Sequence, residues 1–413
     1  MSVETMKADV LAIIDRQAPQ AIALLQDLVR IPSCNPPGDE REVADYCADY
    51  LRAAGMTVEQ IEPAPRRVSN VARLNGRIGS PTLLFNSHLD TFPPGSEENW
   101  NYPPFAAEIH EDTIWGIGSK NMKAGVAAAM FAVHALRNAG IVLDGDLLIS
   151  QAADEILLGP NGLKEIVDRG MVNADYAVYT ESDPPLKIEI SHRGLAYVEV
   201  TTRGLAKHTK LKGKVTPDGP VVNAIVKMTD VIRALESMEF TNWEPDEYIP
   251  GPPIISTNLI EGGVTRNMSA DRCMITLDVR FLPCQTPEGI MADVERVLAG
   301  LRERDPLLSV EARLAHVALP SVIPADSPIV VALKQAIKEV TGMDMPVGGV
   351  SSTSDARWLV LNAGIPTAKF EFQDSESGPN EHMAIDDYMN TIRTYAVLAL
   401  NLLAQDDKSP SPS

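Results

Sequence analysis

A histidine and an aspartate two positions apart are the first residues of this 413-residue chain whose types and spacing could do chemistry. They are His88 and Asp90, in NSHLDTFPPG. Residues two apart in an extended segment face the same side, so the Asp90 carboxylate can orient the His88 imidazole for metal binding or for proton transfer. Because the H-x-D pattern is short, it is also consistent with a surface histidine beside an aspartate that caps a helix and has no catalytic role.

A glycine-containing loop, GIGSKNMKAG at 116–125, leads into the helix-forming run AGVAAAMFAVHAL. A dinucleotide loop requires a third glycine where Asn121 stands, and the G-x-x-x-x-G-K-[ST] phosphate loop does not fit either. Asparagine caps helices about as well as aspartate does. The sequence therefore predicts that Asn121 caps the following helix.

The composition excludes several classes of partner. The chain has 36 Lys and Arg against 56 Asp and Glu, a formal charge of −20, which disfavours nucleic acid and anionic membranes. We see neither a signal peptide nor an apolar run of about 18 residues that could span a membrane. The four cysteines, at 34, 47, 273 and 284, form no C-x-x-C motif, so they are expected to be reduced in a cytoplasmic enzyme.

Four short β-rich runs, at 82–87, 146–151, 176–181 and 367–372, are separated by helix-like stretches. This alternation predicts an α/β sheet with helices on its faces. Ligands of such sheets bind beyond the carboxyl ends of the strands. The segments at those ends are HLD, AADE, ESD and QDSES.

A second pattern runs through 188–314, with elements in the order β-α-β-β-α-β, which is typical of a ferredoxin-like domain. The first pattern resumes at SPIVVALKQAIKEVTG. We therefore predict a discontinuous α/β catalytic domain, 1–187 and 315–413, with 188–314 inserted. The Pro- and Ser-rich residues 406–413 are predicted to be a disordered tail.

Seven segments occur in an order that resembles a known family: HLDTFPPG, GIGSKNMKAG, ADEILLGPNG, YTESDP, GLAKHT, GGVSSTSDAR and GPNEHMAIDDYM. The chain resembles, over nearly its whole length, the zinc-dependent aminoacylase, acetylornithine deacetylase, succinyl-diaminopimelate desuccinylase and carboxypeptidase G metallohydrolases. The resemblance implies a zinc-exopeptidase-like catalytic domain with an inserted ferredoxin-like lid and dimerisation domain. It also implies two zinc ions held by five side chains.

The resemblance places family roles on four residues. His88 matches the first histidine ligand, and Asp90 the carboxylate that orients it. Glu181 matches a carboxylate ligand. Glu155 matches the catalytic glutamate that activates the bridging water.

Three ligand positions depart from the family pattern. Asn121 stands for a bridging aspartate, Ile156 for a glutamate and Ser377 for a histidine. A neutral amide and a hydroxyl are weak zinc ligands, and isoleucine has no atom that can bind zinc. We therefore expect at most one ion, zinc or another divalent metal, on His88 and Glu181 with Asn121 and water, or no ion at all. Glu376 or His382 as a displaced ligand is the alternative.

Further matches concern substrate and partner. His208 matches a lid histidine that stabilises the oxyanion in the partner subunit's site, which implies a homodimer. Asn267 and Arg280 match residues that hold a substrate carboxylate, although a structural ion pair would also explain Arg280. Ser354 lies in the segment that matches a pocket loop, and Asn121 and Ser377 are expected to contact substrate. Ser377 lacks the G-x-S-x-G context of a nucleophile.

Three functions remain open at this point. The first is family-type hydrolysis of the amide bond of a small carboxylate-bearing N-acyl amino acid or peptide. The second is a metal-independent elimination, isomerisation or acyl transfer through Glu155 and His88. The third is a non-catalytic binding homologue. The retained acid and base residues favour an enzyme, and the family resemblance favours hydrolysis.

Overall fold

The computed structural model describes residues 1–373 and 375–406, which divide into two compact units. The first unit contains Met1–Ile190, Ile323–Gly348 and the described residues from Ser354 onward, and the second contains Ser191–Val322 and Gly349–Thr353. The second unit thus begins later than the 188–314 expected from the sequence, ends later, and includes a short second segment. The predicted tail lies outside the described residues except for Asp406, whose carboxylate accepts the backbone N–H of Val3.

The helices have the following bounds: α1 Val3–Arg16, α2 Ala18–Arg30, α3 Arg41–Ala53, α4 Ala124–Asn138, α5 Leu163–Asp168, α6 Ala224–Glu236, α7 Pro287–Arg304, α8 Pro328–Thr341, α9 Ala356–Leu361 and α10 Ile385–Leu403. The strands are β1 Thr57–Ala64, β2 Arg67–Leu74, β3 Thr82–His88, β4 Glu108–His110, β5 Thr113–Trp115, β6 Asp146–Ala152, β7 Tyr176–Tyr179, β8 Ile188–His192, β9 Gly194–Arg203, β10 Val215–Thr216, β11 Gly219–Pro220, β12 Ile254–Gly262, β13 Arg272–Phe281, β14 Ser309–Ala318, β15 Ser321–Val322, β16 Val347–Val350, β17 Thr367–Lys369 and β18 His382–Ala384.

The main sheet has the order β1-β2-β6-β3-β7-β17-β8-β15, and β16 pairs with β8. The four central strands, β6, β3, β7 and β17, are parallel. Strands β3 and β6 are buried along their entire lengths, which is typical of parallel strands covered on both faces. Their carboxyl ends therefore lie along one edge of the sheet. The predicted α/β sheet is confirmed, although β7 and β17 end earlier than the runs suggested.

Helix α4 is rich in alanine and almost wholly buried. Its small residues let the backbone come close to the sheet. Gly125 is the clearest case, because a Cβ at this position would overlap the carbonyl oxygen of Thr180, directly after β7. The helix is thereby held against the end of β7, where the chain passes to Glu181.

The second unit has the predicted ferredoxin-like order, with β9, α6, β12, β13, α7 and β14 in succession. Its strands form an antiparallel sheet in the order β12-β13-β9-β14. Along β13, buried residues alternate with more exposed ones, as expected of a sheet with one covered face. Residues of α6 and α7, including Met228, Val231 and Val294, are buried in the same core.

The expectation that Asn121 caps α4 is wrong. The helix begins at Ala124 after Lys123, with no side-chain cap. Asn121 lies in the preceding wide turn, Ser119–Lys123, and both it and Met122 have non-helical dihedral angles. Its side chain is therefore not in position to accept from the first turn of the helix.

The cysteines of the chain are free, with Cys47 and Cys273 buried and Cys284 exposed. Within the described part of the chain, no helix is both long and apolar enough to cross a membrane.

Candidate active site

The carboxyl ends of three parallel strands bring the chemistry-bearing residues of the first unit together. His88 ends β3 and Asp90 follows it, Glu155 follows β6, and Glu181 follows β7. All four are at least nine-tenths buried. They belong to the segments HLD, AADE and ESD at the ends of the β-rich runs, and the parallel register explains why they meet.

The imidazole of His88 is held by Asp90 and faces Glu155. Its Nδ1 lies 2.8 Å from the backbone carbonyl oxygen of Asp90 and 3.5 Å from Oδ1 of the same residue. Its Nε2 lies 3.7 Å from Oε2 of Glu155 and has no hydrogen-bond partner among the described residues. Nε2 is therefore the ring atom left for a ligand.

Asp90 also positions the segment that carries Glu155. Its Oδ1 accepts the backbone N–H of Glu155 at 3.1 Å, and its Oδ2 accepts that of Ile156 at 2.9 Å. The side-chain amide of Asn35 donates to Oδ2 at 2.8 Å. Burial opposes ionisation, but these hydrogen bonds together with His88 hold the pKa of Asp90 below its usual range. Asp90 is thus a fixed anion that orients both acid–base groups.

Glu155 is buried beside His88 and other carboxyl groups. Burial raises its pKa to about 8, with the charge of His88 acting in the opposite direction. The charges of Asp355 and Glu181 raise it further, so both carboxyl groups lie close enough to act on it. A carboxyl group with a pKa near neutrality is suited to taking and returning a proton.

Glu181 has a protein cation as its neighbour, which the sequence reading did not foresee. The Nζ of Lys369 lies 3.4 Å from Oε2 of Glu181 and 3.3 Å from Oε2 of Glu189. The Lys369 side chain is 1% exposed. Burial lowers its pKa, but Glu181 and Glu189 outweigh that effect and raise it. Lys369 is therefore an ammonium ion within the core.

Asn121 and Ser377, at two of the altered ligand positions, contact each other. The side-chain amide of Asn121 donates to Oγ of Ser377 at 3.2 Å. The Asn121 backbone N–H donates to Oε1 of Glu381 at 2.8 Å, and that of Lys120 donates to the same oxygen at 2.9 Å. Glu381 thus fixes the wide turn before α4 against the loop that carries Ser377.

Neither of the alternative ligands is placed clearly for a metal. Glu376 is exposed. The Nδ1 of His382 lies 2.8 Å from the carbonyl oxygen of Asn380, and its ring packs against Trp115 at 4.5 Å.

Ser354 has a local structural contact, since its Oγ accepts the backbone N–H of Ala356 at the start of α9. The neighbouring Asp355 pairs with Arg357 at 2.8 Å. Burial raises the pKa of Asp355 to about 6. This loop contributes a second buried carboxyl group close to Glu155.

The remaining predicted site residues lie in the second unit. The backbone of His208 pairs with that of Met268, next to Asn267. His208 lines a cavity of about 250 Å³ together with Lys212 and Arg266. Arg280 donates to both carboxylate oxygens of Asp278, at 2.7 and 3.0 Å. The ion pair considered as an alternative for Arg280 is therefore present.

The five matched ligand positions differ in the donor atoms that they offer. In residues 1–373 and 375–406, no three His, Cys, Asp or Glu side chains are grouped so that they could hold one ion. Asn121 and Ser377 offer only neutral atoms: the Asn121 NH₂ group donates to Ser377 Oγ, and the Asn121 Oδ1 is buried without a partner among the described residues. Ile156 offers no donor atom. Of the matched ligands, only His88 and Glu181 have the chemistry that zinc prefers.

Two further residues were missed for different reasons. Lys369 was detectable, because a lysine in the middle of the apolar run TAKFEF is unusual for a buried strand. Glu381 was not, because its acceptance of the N–H groups of Lys120 and Asn121 joins segments 260 residues apart.

Comparison with known proteins now decides the family. Residues 84–401, well over half of the chain, match the sequence pattern of the family described as "Peptidase family M20/M25/M40". The chain belongs to this peptidase family. The predicted relationship to the aminoacylase and desuccinylase metallohydrolases is thus confirmed, and with it the fold class and the expectation of a hydrolase acting on amide bonds.

Individual relatives are distant but cover the chain. An N-formyl-4-amino-5-aminomethyl-2-methylpyrimidine deformylase of Halalkalibacterium halodurans is 28% identical, over 94% of this chain and 96% of that protein. A succinyl-diaminopimelate desuccinylase of Hydrogenovibrio crunogenus is 24% identical, over 93% and 99%. The dipeptidase Dug1p of Saccharomyces cerevisiae shares the fold, with a TM-score of 0.78 at 16% identity, over 97% of this chain and 98% of that one.

Divalent metal ions are typical of this family, whose solved members include a dinuclear metal-binding peptidase. This chain therefore differs at Asn121, Ile156 and Ser377 from a family in which metal binding is typical.

Proposed function

We propose that this chain hydrolyses the amide bond of a small N-acyl amino acid or peptide-like substrate that carries a carboxylate, with Glu155 as the general base. The supporting observation is the buried pair formed by Glu155 and His88, 3.7 Å apart, with His88 oriented by Asp90. Both named enzymes among the relatives, the deformylase and the desuccinylase, remove an acyl group from nitrogen.

In the proposed reaction, the Glu155 carboxylate removes a proton from water as the water oxygen bonds to the substrate carbonyl carbon. The same carboxyl group then returns the proton to the amide nitrogen as the C–N bond breaks, which releases a carboxylic acid and an amine. A buried carboxyl group whose pKa is raised toward neutrality suits both steps. Asp90 would hold His88 and the backbone of Glu155 in the same relative position during both steps.

We also propose that the metal centre is reduced to at most one divalent ion, on His88 and Glu181, or to no ion at all. The neutral pair formed by Asn121 and Ser377 supports this, as does the loss of a donor atom at Ile156. No step of the proposed reaction passes through a metal. If the reaction were instead a metal-independent elimination or acyl transfer, Glu155 would still be required, but no carboxylic acid would be released from an N-acyl substrate.

A carboxylate-bearing substrate is supported by positive groups in the second unit. The cations Lys212 and Arg266 line one cavity together with His208, and Asn267 follows Arg266 in the sequence. We propose that these groups, with Arg280, serve a substrate carboxylate, and that His208 acts in the site of a partner subunit of a homodimer. We further propose that the enzyme acts in the cytoplasm.

The test is Glu155→Gln, assayed against a panel of N-formyl, N-acetyl and N-succinyl amino acids and dipeptides, with release of free amine as the readout. We expect a loss of about 10²–10⁴-fold in kcat, because the base is removed while the shape of the side chain is kept. Glu165→Gln, which removes a carboxylate of α5 that pairs with Arg169 just after the helix, is the matched control and should stay within about twofold. An undiminished rate in Glu155→Gln would remove this residue from the mechanism.

A further inference from the structure

Lys369 is placed by the register of three strands. It is the last residue of β17, opposite Tyr179 of the parallel strand β7 and opposite Glu189 of the antiparallel strand β8. Its Nζ therefore lies between carboxylates from both sides, with Glu189 at 3.3 Å, Glu181 at 3.4 Å and Asp183 at 3.9 Å. A lysine that is 1% exposed is tolerated only when it is paired in this way.

A second buried ammonium group, that of Lys120, pairs with one of these carboxylates, Asp183. The Nζ of Lys120 lies 3.3 Å from Oδ1 of Asp183, and its side chain is also 1% exposed. Its backbone is fixed by the hydrogen bond to Glu381. The negative groups that follow β7 are thus balanced by two protein-borne cations that cannot diffuse away.

This arrangement bears directly on Glu181, one of the two residues left with metal-ligand chemistry. An ion bonded to Oε2 of Glu181 at about 2.2 Å would lie within about 6 Å of the Lys369 ammonium. In a buried site, the repulsion between a divalent ion and an ammonium ion at that separation is weakly screened. The Oε2 atom of Glu181 is thus already paired with a cation, at 3.4 Å.

We propose that Lys369 is the resident cation of this site: its ammonium group neutralises and positions Glu181 in the place of a metal ion, and it excludes a divalent ion from that carboxylate. Lys369 is a positioning residue, since it contacts Glu181 and Glu189. The inference rests on the proposed function only for the location of the site. Its readout is metal affinity, which does not depend on whether the proposed substrate class is right.

The test is a cycle of four proteins: the wild type, Lys369→Leu, the ligand-restoring double variant Asn121→Asp/Ser377→His, and the triple variant. Zinc chloride is the probe. Its affinity is measured by competition with a chromophoric chelator, and zinc per chain by plasma mass spectrometry after desalting. Lys7→Leu is the matched control, because it removes another largely buried lysine paired with two glutamates, Glu4 and Glu339.

We expect the wild type, Lys7→Leu and the double variant to retain no stoichiometric zinc. Lys369→Leu should bind zinc at least about tenfold more tightly than the wild type, and the triple variant should retain it stoichiometrically, because Glu181 is then free of the ammonium ion. Stoichiometric zinc in the wild type, or an affinity that Lys369→Leu leaves unchanged, would overturn the proposal.

The double variant keeps the test decisive if Lys369→Leu does not fold, because it retains the lysine and adds an aspartate and a histidine. Stoichiometric loading of the double variant would show that missing ligands, rather than Lys369, kept zinc out. Its failure to load would support the proposal. Activity of the wild type on the N-acyl panel and its loss in Glu155→Gln test the proposed function separately, whichever way the zinc experiment turns out.

Discussion

The carboxylate of Asp90 accepts the backbone N–H of Glu155 at 3.1 Å. The same residue holds Nδ1 of His88 through its backbone carbonyl oxygen at 2.8 Å. The loop after β3 therefore positions both members of the acid–base pair. Displacement of Asp90 would change the distance between His88 and Glu155 without altering either residue.

Replacement of Asp90 by asparagine should lower kcat/KM by about 10–100-fold, the usual effect of losing a group that orients catalytic residues. Asparagine keeps one oxygen, but it turns an NH₂ group toward the N–H groups of Glu155 or Ile156. Amine release from the best substrate of the N-acyl panel is the measurement. Glu108→Gln, whose carboxylate pairs with the half-exposed His110, is the control. Equal activity in both variants would mean that Asp90 does not position the pair.

The close approach of α4 to the end of β7 gives a prediction on stability. Gly125→Ala should destabilise the protein by about 1–3 kcal/mol, because the new Cβ meets the backbone of Thr180, which cannot move without shifting Glu181. Urea unfolding followed by circular dichroism measures this effect. The control is Gly300→Ala in α7, where a Cβ meets nothing within 4 Å. That substitution should stabilise by about 0.5–1 kcal/mol, and the opposite order of the two variants would contradict the packing argument.

The positions of the site residues along the sheet could be predicted from the sequence. The apolar runs before His88, Glu155 and Glu181 indicated strands, and parallel strands bring their carboxyl ends to one edge. The β-α-β-β-α-β order of the second unit could also be predicted, since strands and helices differ in the spacing of their apolar residues. Both features could be predicted because they depend on the spacing of apolar residues within single short segments of the sequence.

The charge balance of the site could not be predicted in the same way. The pairing of Lys369 with Glu189 depends on β17 and β8 becoming neighbours, although they are far apart in sequence. The error at Asn121 has a related cause: the capping preference is local, but Glu381 and Ser377 hold this residue in a non-helical turn. Long-range hydrogen bonds prevailed over local preference at this position.

Glu40 gives a pH dependence of stability whose sign follows from its surroundings. It is fully buried beside Arg67, and burial raises its pKa to about 7 from 4.5, with Arg67 acting in the opposite direction. Between these values the folded protein holds a proton that the unfolded chain has lost. The contribution of Glu40 is therefore fully present below about pH 4.5 and declines as the pH rises toward about 7.

The measurement is the free energy of unfolding in urea for the wild type and Glu40→Gln between about pH 5 and 7.5. Glutamine does not titrate, so the advantage of the wild type over the variant should fall by about 2–3 kcal/mol across this range. Glu98→Gln, on an exposed turn, should leave the pH profile unchanged. A difference between wild type and Glu40→Gln that is constant with pH would contradict the raised pKa.

The proposed homodimer can be tested at the edge of the second unit's sheet. Among the described strands, β12 pairs with β13 alone, so its outer edge has no strand partner, although the Thr257 N–H there donates to the Glu236 carboxylate. Leu259 and Ile260 on this strand are 64% and 58% exposed, and Val226 on α6 is 56% exposed. An edge strand that carries exposed apolar side chains is a template for pairing with a second chain unless it is covered.

A charge at Leu259 should therefore break the dimer, because it would be buried without a partner in the interface. We expect light scattering to give a dimer mass for the wild type and a monomer mass for Leu259→Asp. Leu307→Asp is the control: it places the same charge at an apolar residue of the second unit that is 51% exposed, between α7 and β14. If His208 serves the partner's site, the monomer should also lose activity while Glu155 remains intact. A fully active monomer would separate His208 from catalysis, and a wild-type monomer would remove the dimer proposal itself.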